Sequence, residues 1–224
     1  MIPYGRQNIV KDDLRKINKV LKSKWLTQGP NVPKFEKQIA RFVGAKYAVS
    51  TNSASSALHI SCIALGLKKN DKFWTSPNSF VASANCGIHC GAKVDFVDID
   101  NDTWNISTNL LIKKLKSCKK ANLPKIIIPV HFSGQATDQK EIKKLSKKYK
   151  FKIIEDASHS LGALHRGEKV GSCKWSDITV FSFHPVKPIT TAEGGMILTN
   201  NKKVYQRLLK IRNNGITRVH SELE

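Results

Sequence analysis

Lys187 sits within Phe181-Ser182-Phe183-His184-Pro185-Val186-Lys187-Pro188-Ile189-Thr190-Thr191-Ala192-Glu193-Gly194-Gly195, and this setting gives its amine a chemistry that the other lysines lack. Pro185 and Pro188 fix backbone angles on either side of it and remove amide donors, so the amine rides on a pre-ordered loop rather than a mobile helix. An amine presented in this way is suited to forming a Schiff base with a carbonyl compound. Upstream, the run Phe151-Lys152-Ile153-Ile154-Glu155 gives way at Asp156 to Ala157-Ser158-His159-Ser160, the pattern of a buried strand opening at its carboxyl end. A third feature is Ser50-Thr51-Asn52-Ser53-Ala54-Ser55-Ser56-Ala57-Leu58-His59, a hydroxyl-rich turn after the strand-like Lys46-Tyr47-Ala48-Val49. The helix that follows such a turn points free N–H groups and its positive dipole end at an anion.

An amine, a carboxylate and an anion cradle together meet the needs of pyridoxal phosphate. The carboxylate of Asp156 would keep the ring nitrogen protonated, which makes the ring an electron sink when a Cα proton leaves. Ser53, Ala54 and Ser55 in the turn, with the hydroxyl of Ser182, are the phosphate-side candidates. Phe80, in Ser76-Pro77-Asn78-Ser79-Phe80-Val81, is placed to stack on the ring, and His159 to reach its phenolic oxygen. The plain alternative is an ordinary Lys187–Asp156 ion pair in an α/β binding domain, and the phosphate turn and proline loop weigh against it. His184 and His131 have acid–base capacity, but a histidine at a strand end is more often a satisfied structural group, and Glu193 reads as a turn cap.

These motifs resemble those of the DegT/DnrJ/EryC1/StrS sugar-nucleotide aminotransferase family. The resemblance runs from Ile2-Pro3-Tyr4-Gly5-Arg6 through Trp25-Leu26-Thr27-Gln28-Gly29-Pro30, the serine-rich turn, Thr75-Ser76-Pro77 and Val94-Asp95-Phe96-Val97-Asp98-Ile99-Asp100 to Asp156–His159 and the Lys187 loop. Within the family, Ile128-Pro129-Val130-His131-Phe132-Ser133-Gly134-Gln135 and Thr179–Lys187 are similar to the pseudaminic acid branch. The resemblance implies that Lys187 is the covalent lysine and proton shuttle, Asp156 the ring-nitrogen partner and His159 a ring-oxygen neighbour. It implies that Ala54, Ser55 and Ser182 hold the phosphate, and that Tyr4, Lys24, Trp25, Leu26 and Thr27 lie near a bound nucleotide sugar, with His184 on the substrate side. It further implies a UDP-linked 4-keto-6-deoxy amino sugar as acceptor, glutamate as amino donor, two half-reactions and a homodimer.

Family members are longer, with a small C-terminal domain whose asparagine-arginine motif reaches toward the partner subunit, whereas this sequence ends at Glu224. The expectation is therefore a cofactor-binding large domain without that part. The alternative is a non-catalytic fragment that only provides a cofactor-binding or interaction platform. Ala192 is a smaller departure, since many relatives carry glycine there. Dehydratases on the same scaffold replace the lysine with histidine, and Lys187 is intact.

The elements that must position these groups read as α/β. Apolar strand-like runs at 93–99, 125–130, 151–156 and 177–183 alternate with helix-like stretches, which argues a mostly parallel sheet. Gly195-Met196-Ile197-Leu198-Thr199 reads as one more strand, antiparallel by the resemblance to fold-type I aminotransferase large domains with helices on both faces. The stripes Leu14/Ile17/Leu21, Phe35/Ile39/Phe42 and Ile142/Leu145/Tyr149 are read as core-facing helices. Residues 1–33 are expected to form an N-terminal arm and helix, and 34–224 the large domain.

The formal net charge of +21, from 38 Lys+Arg against 17 Asp+Glu, does not imply nucleic-acid binding. The lysines cluster on polar helix faces, as at Lys113-Lys114, Lys119-Lys120, Lys143-Lys144 and Lys147-Lys148, without an arginine-aromatic stripe. Their field would still draw an anionic substrate. Five cysteines in irregular spacing fit a reducing cytoplasm. Cys86, His89 and Cys90 read as part of a buried helix rather than a metal site, since no fourth ligand cluster accompanies them. No signal peptide opens the sequence and no apolar run is long enough to span a bilayer.

Overall fold

The computed structural model describes residues 5–216. Helices α1 (Lys11–Leu21) and α2 (Asn31–Val43) precede strand β1 (Tyr47–Thr51), helix α3 (Ala54–Ala64), strand β2 (Lys72–Thr75), helix α4 (Ala82–Ile88) and strand β3 (Lys93–Phe96). There follow α5 (Thr108–Ser117), β4 (Ile126–Ile128), α6 (Gln139–Tyr149), β5 (Lys152–Asp156) and the short ribbon β6 (Leu164–His165) and β7 (Glu168–Lys169). Strands β8 (Ile178–Ser182) and β9 (Gly195–Thr199) and helix α7 (Lys202–Arg212) complete the order.

Seven strands form one sheet in the order β1-β9-β8-β5-β4-β2-β3. Only β9 runs against its neighbours, pairing antiparallel with both β1 and β8; the β8-β5, β5-β4, β4-β2 and β2-β3 pairs are parallel. The antiparallel β9 and the mostly parallel sheet are as expected. Strand β2 was not anticipated: Lys72-Phe73-Trp74-Thr75 is too short to show a period by itself.

A parallel strand buried on both faces places successive side chains in different cores. Ile126 and Ile128 pack with Val49, Ile154, Val180 and Ile197 beneath α3, α4 and α7. Ile127 packs instead with Trp74, Ile153 and residues of α5 and α6. Phe181, Met196 and Leu198 meet α2 through Ile39 and Val43. Helices thus cover both faces. By the same alternation Asp156 falls on the α3/α4 face and Glu155 on the other, where Gln139, Ser176 and Thr179 hold its carboxyl.

The stripe Leu14/Ile17/Leu21 is not core. Helix α1 buries no residue, and these three side chains are 54%, 51% and 62% exposed. Periodicity reports that one face is apolar and says nothing of what covers it. In α2, Ile39 is buried while Phe42 lies at the surface under the Lys169 ammonium, and in α6 Ile142 and Leu145 are buried as expected. Glu36 of α2 ties three elements together, accepting from the backbone N and Oγ of Ser50 at 2.8 Å each and pairing with Arg212 at 2.6 Å. This fixes the end of β1 from which the serine-rich turn departs.

Candidate active site

The turn after β1 is set by its own hydroxyls. Ser53 caps α3 by accepting from Ser56 N at 3.1 Å, its carbonyl takes Ala57 N, and Thr51 Oγ1 donates back to Ser53 O at 2.8 Å. The amides of Ala54 and Ser55 belong to the first turn, where a helix has no internal acceptor for them. Gly195 of β9 makes the turn possible, because a Cβ there would lie 2.4 Å from Ser53 O and 2.7 Å from Ala54 N.

Asp156 ends β5 nearly buried, with its carboxylate held from two sides. Oδ2 accepts from Ser83 Oγ at 2.6 Å, and Oδ1 accepts from Ser158 Oγ at 2.6 Å and Ser158 N at 3.3 Å. Lys187 lies in the β8–β9 connection. That loop is closed on itself by Phe183 N to Gly194 O, Thr191 N to Phe183 O and Lys187 N to His184 O. Its ammonium nitrogen lies in close contact with His159 Nε2. Ala192 in this loop has φ of 66°, the left-handed region that glycine enters freely and alanine at a cost of about 1 kcal/mol. A glycine at this position would adopt the same backbone without that cost.

Ser53, Ala54, Ser55, Phe80 and Asp156 line one cavity of about 720 Å³, as do His159, Ser182, His184 and Lys187. The sequence-predicted cofactor residues, more than 100 positions apart at their extremes, are thus brought together. Phe80 is 75% exposed, with its ring free at the cavity margin. Lys24, Trp25, Leu26 and Thr27 are in an exposed loop between α1 and α2 and do not line the cavity. Tyr4 lies outside the described residues.

Ser158, Phe132 and Ser133 of the cavity wall, and Ser83 outside it, add to the site. Ser83 reaches Asp156 across 73 positions, which only tertiary structure reveals. Ser158 was findable, since a serine two residues after an aspartate commonly hydrogen-bonds back to it. Phe132 and Ser133 form part of the wall through a turn in which Ser133 has φ of 51° and Gly134 of 92°. A Cβ on Gly134 would meet His159 O at 2.9 Å, so glycine lets this turn press against the histidine. His131 is fully buried, accepts Thr137 N at Nδ1 (2.9 Å), and is held neutral, its pKa lowered to about 3 by burial and by the charge of His165. That is a structural histidine.

Burial holds the Lys187 amine below the ordinary lysine pKa, with the Asp156 charge opposing. Burial and the neighbouring Lys187 charge hold His159 below the ordinary imidazole range, again with Asp156 opposing. A depressed amine pKa means that the neutral, nucleophilic form is populated at lower pH than in a free lysine. Covalent capture of pyridoxal phosphate is therefore expected to rise with pH through a midpoint below the ordinary lysine value of 10.5 and then level off. Rates of adduct formation across a pH series test this, and a midpoint at the ordinary value would contradict it. Among the described residues no group of three His, Cys, Asp or Glu side chains could hold a metal ion.

The family model described as the DegT/DnrJ/EryC1/StrS aminotransferase family matches residues 7–223. The UDP-4-amino-4,6-dideoxy-N-acetyl-β-L-altrosamine transaminase of Campylobacter jejuni is 43% identical over 220 residues, covering 97% of this chain and 56% of that protein. Among solved structures, Helicobacter pylori PseC, an aminotransferase of pseudaminic acid biosynthesis, superposes with a TM-score of 0.88 at 34% identity, over 96% of this chain and 57% of that one. The sugar aminotransferase Spr1654 of Streptococcus pneumoniae in its PMP form gives 0.89 at 26% identity, over 99% and 59%. The chain spans about half the length of the curated relatives it matches.

Proposed function

The chain belongs to the DegT/DnrJ/EryC1/StrS aminotransferase family, and from that premise we propose that it is the cofactor-binding part of a pyridoxal phosphate-dependent nucleotide-sugar aminotransferase. The observation that carries this is the convergence of Lys187, Asp156 and the open amino end of α3 on one cavity. The donor set fits the cofactor: an amine for its aldehyde, a carboxylate for its ring nitrogen, and free amides with hydroxyls for its phosphate. When bound, the cofactor supplies an exchangeable carbonyl and an electron-accepting ring.

The chain's own residues do the rest. Ala54 and Ser55 would hold the phosphate with their amides, helped by the hydroxyls of Ser53 and Ser182 and by the dipole of α3. Asp156, its oxygens oriented by Ser83 and Ser158, would hold a proton at the ring nitrogen. Phe80 would cover one ring face. Lys187, with a depressed pKa, serves as nucleophile and then as the base that moves a proton at the substrate carbon. His159, touching the Lys187 nitrogen, is placed to exchange that proton and to face the ring oxygen.

The finer reading is a UDP-linked 4-keto-6-deoxy amino sugar as acceptor, glutamate as donor and a pseudaminic acid type of pathway. It is supported by the 43% relative, whose name states a UDP-sugar transaminase. Residues 1–33 would act as an arm and 34–224 as the large domain, the exposed stripe of α1 and the 24–27 loop waiting for a second subunit and the sugar. A reducing cytoplasm suits its five free thiols, and no described helix is long and apolar enough to cross a membrane. A second reading is a platform that binds cofactor without turnover. Adding glutamate to the cofactor-loaded chain separates the two. Loss of the visible cofactor band, restored by 2-oxoglutarate, is expected of the aminotransferase; a band indifferent to glutamate would leave the platform alone.

A further inference from the structure

Trp104 is a conformational outlier beside the cavity. It is a bulky aromatic in the left-handed region, with φ of 60°, and 55% of its surface is exposed. Such backbone is rare for a large side chain and persists only where the surroundings impose it. They do so here. Trp104 N donates to Asp100 O at 2.8 Å, Asp100 Oδ1 accepts from Thr103 N and Oγ1 at 3.0 Å each, and Asn78 Nδ2 reaches Trp104 O at 3.4 Å.

The next residue, Asn105, is buried and bolts this turn to the cavity wall. Its Oδ1 accepts from Phe132 N at 2.9 Å and its Nδ2 donates to Gln135 O at 3.1 Å. The indole consequently lies almost parallel to the Phe132 ring, with planes 18° and centroids 6.0 Å apart. Phe132 and Asn78 both line the cavity. A fixed aromatic surface therefore continues from the cavity wall to the solvent.

Resting on the assignment of the cavity to a nucleotide sugar, we infer that Trp104 and Phe132 form a stacking shelf for the nucleobase of that substrate. A sugar bound near Lys187 must carry its diphosphate and base toward the cavity mouth, and the base is the part with a flat π face. Stacking on an aromatic tolerates any base, so the shelf selects for the presence of a base rather than for which base. The net charge of +21 adds long-range attraction for the diphosphate without positioning it.

Titration of the cofactor-loaded chain with UDP, and in parallel with inorganic pyrophosphate, tests the shelf. Trp104→Ala is expected to weaken UDP binding about tenfold, while Trp104→Phe keeps most of it. Pyrophosphate binding and the cofactor band should be unchanged in both. If the alanine variant does not fold, Trp104→Gly, which suits the left-handed backbone, takes its place. UDP binding indifferent to Trp104, no UDP binding by the wild type, or an equal loss of pyrophosphate binding would each overturn the shelf. A wild type without a cofactor band but with Trp104-dependent UDP binding would keep the shelf and remove the cofactor assignment. A wild type with the band and Trp104-independent UDP binding would do the reverse.

Discussion

Lys187→Ala is expected to eliminate covalent cofactor attachment and to lower transamination by at least about a thousandfold, since one substitution removes both nucleophile and proton carrier. The loss should be chemical rather than structural. Lys187 is half-buried in a loop whose closure depends on backbone bonds among Phe183, His184, Thr191 and Gly194, so the fold does not need its side chain. Lys187→Arg makes the sharper comparison, because it keeps the positive charge beside His159 but offers no neutral amine near neutral pH. Both variants should lose attachment, and only alanine should let His159 titrate closer to its ordinary range, since the Lys187 charge helps hold it down. Single-turnover rates and histidine NMR titrations read these outcomes. An arginine variant with retained turnover would contradict the role of Lys187.

Asp156→Asn is expected to leave the cofactor bound and to lower the rate by about ten- to a thousandfold. An opposite charge near a titrating group typically shifts its pKa by about 1–3 units, and loss of the carboxylate depopulates the protonated ring nitrogen by the corresponding factor. Asparagine keeps the shape, so Ser83 and Ser158 retain a partner. Asp156→Ala would instead strand both hydroxyls and add a stability cost of about 1–3 kcal/mol. A second consequence has a definite sign. Because Asp156 raises the Lys187 pKa, its neutralisation should move the pH midpoint of cofactor capture further down. A purely structural role for Asp156 would move stability and leave this midpoint in place, so the pH profile distinguishes the two.

Much of the fold was legible where a residue's local pattern and its burial coincide. Ile126-Ile127-Ile128 and Ile153-Ile154 are apolar on successive positions because helices cover both faces of the strands they form, and the carboxylate of Asp156, two residues after Ile154, lies at the carboxyl end of β5. Lys187, Asp156 and the serine turn stand out in the sequence because the proposed chemistry needs particular residue types in stiff settings, and the fold brings them to one cavity. Other features depend on what touches what. The stripe on α1 looks like core in sequence and is exposed in the structure, since no periodicity encodes a missing neighbour. Ser83 is an unremarked serine until the sheet brings β5 beside α4. Ala192 and Trp104 are ordinary letters whose left-handed backbone appears only once their loops are closed.

The most direct test is to load the chain with pyridoxal phosphate, reduce it with borohydride and map the adduct by peptide mass spectrometry. A single stable cofactor mass on the peptide bearing Lys187, absent after Lys187→Arg, is the predicted result. A label spread over the many surface lysines, or one that survives the substitution, would contradict the assignment of this cavity.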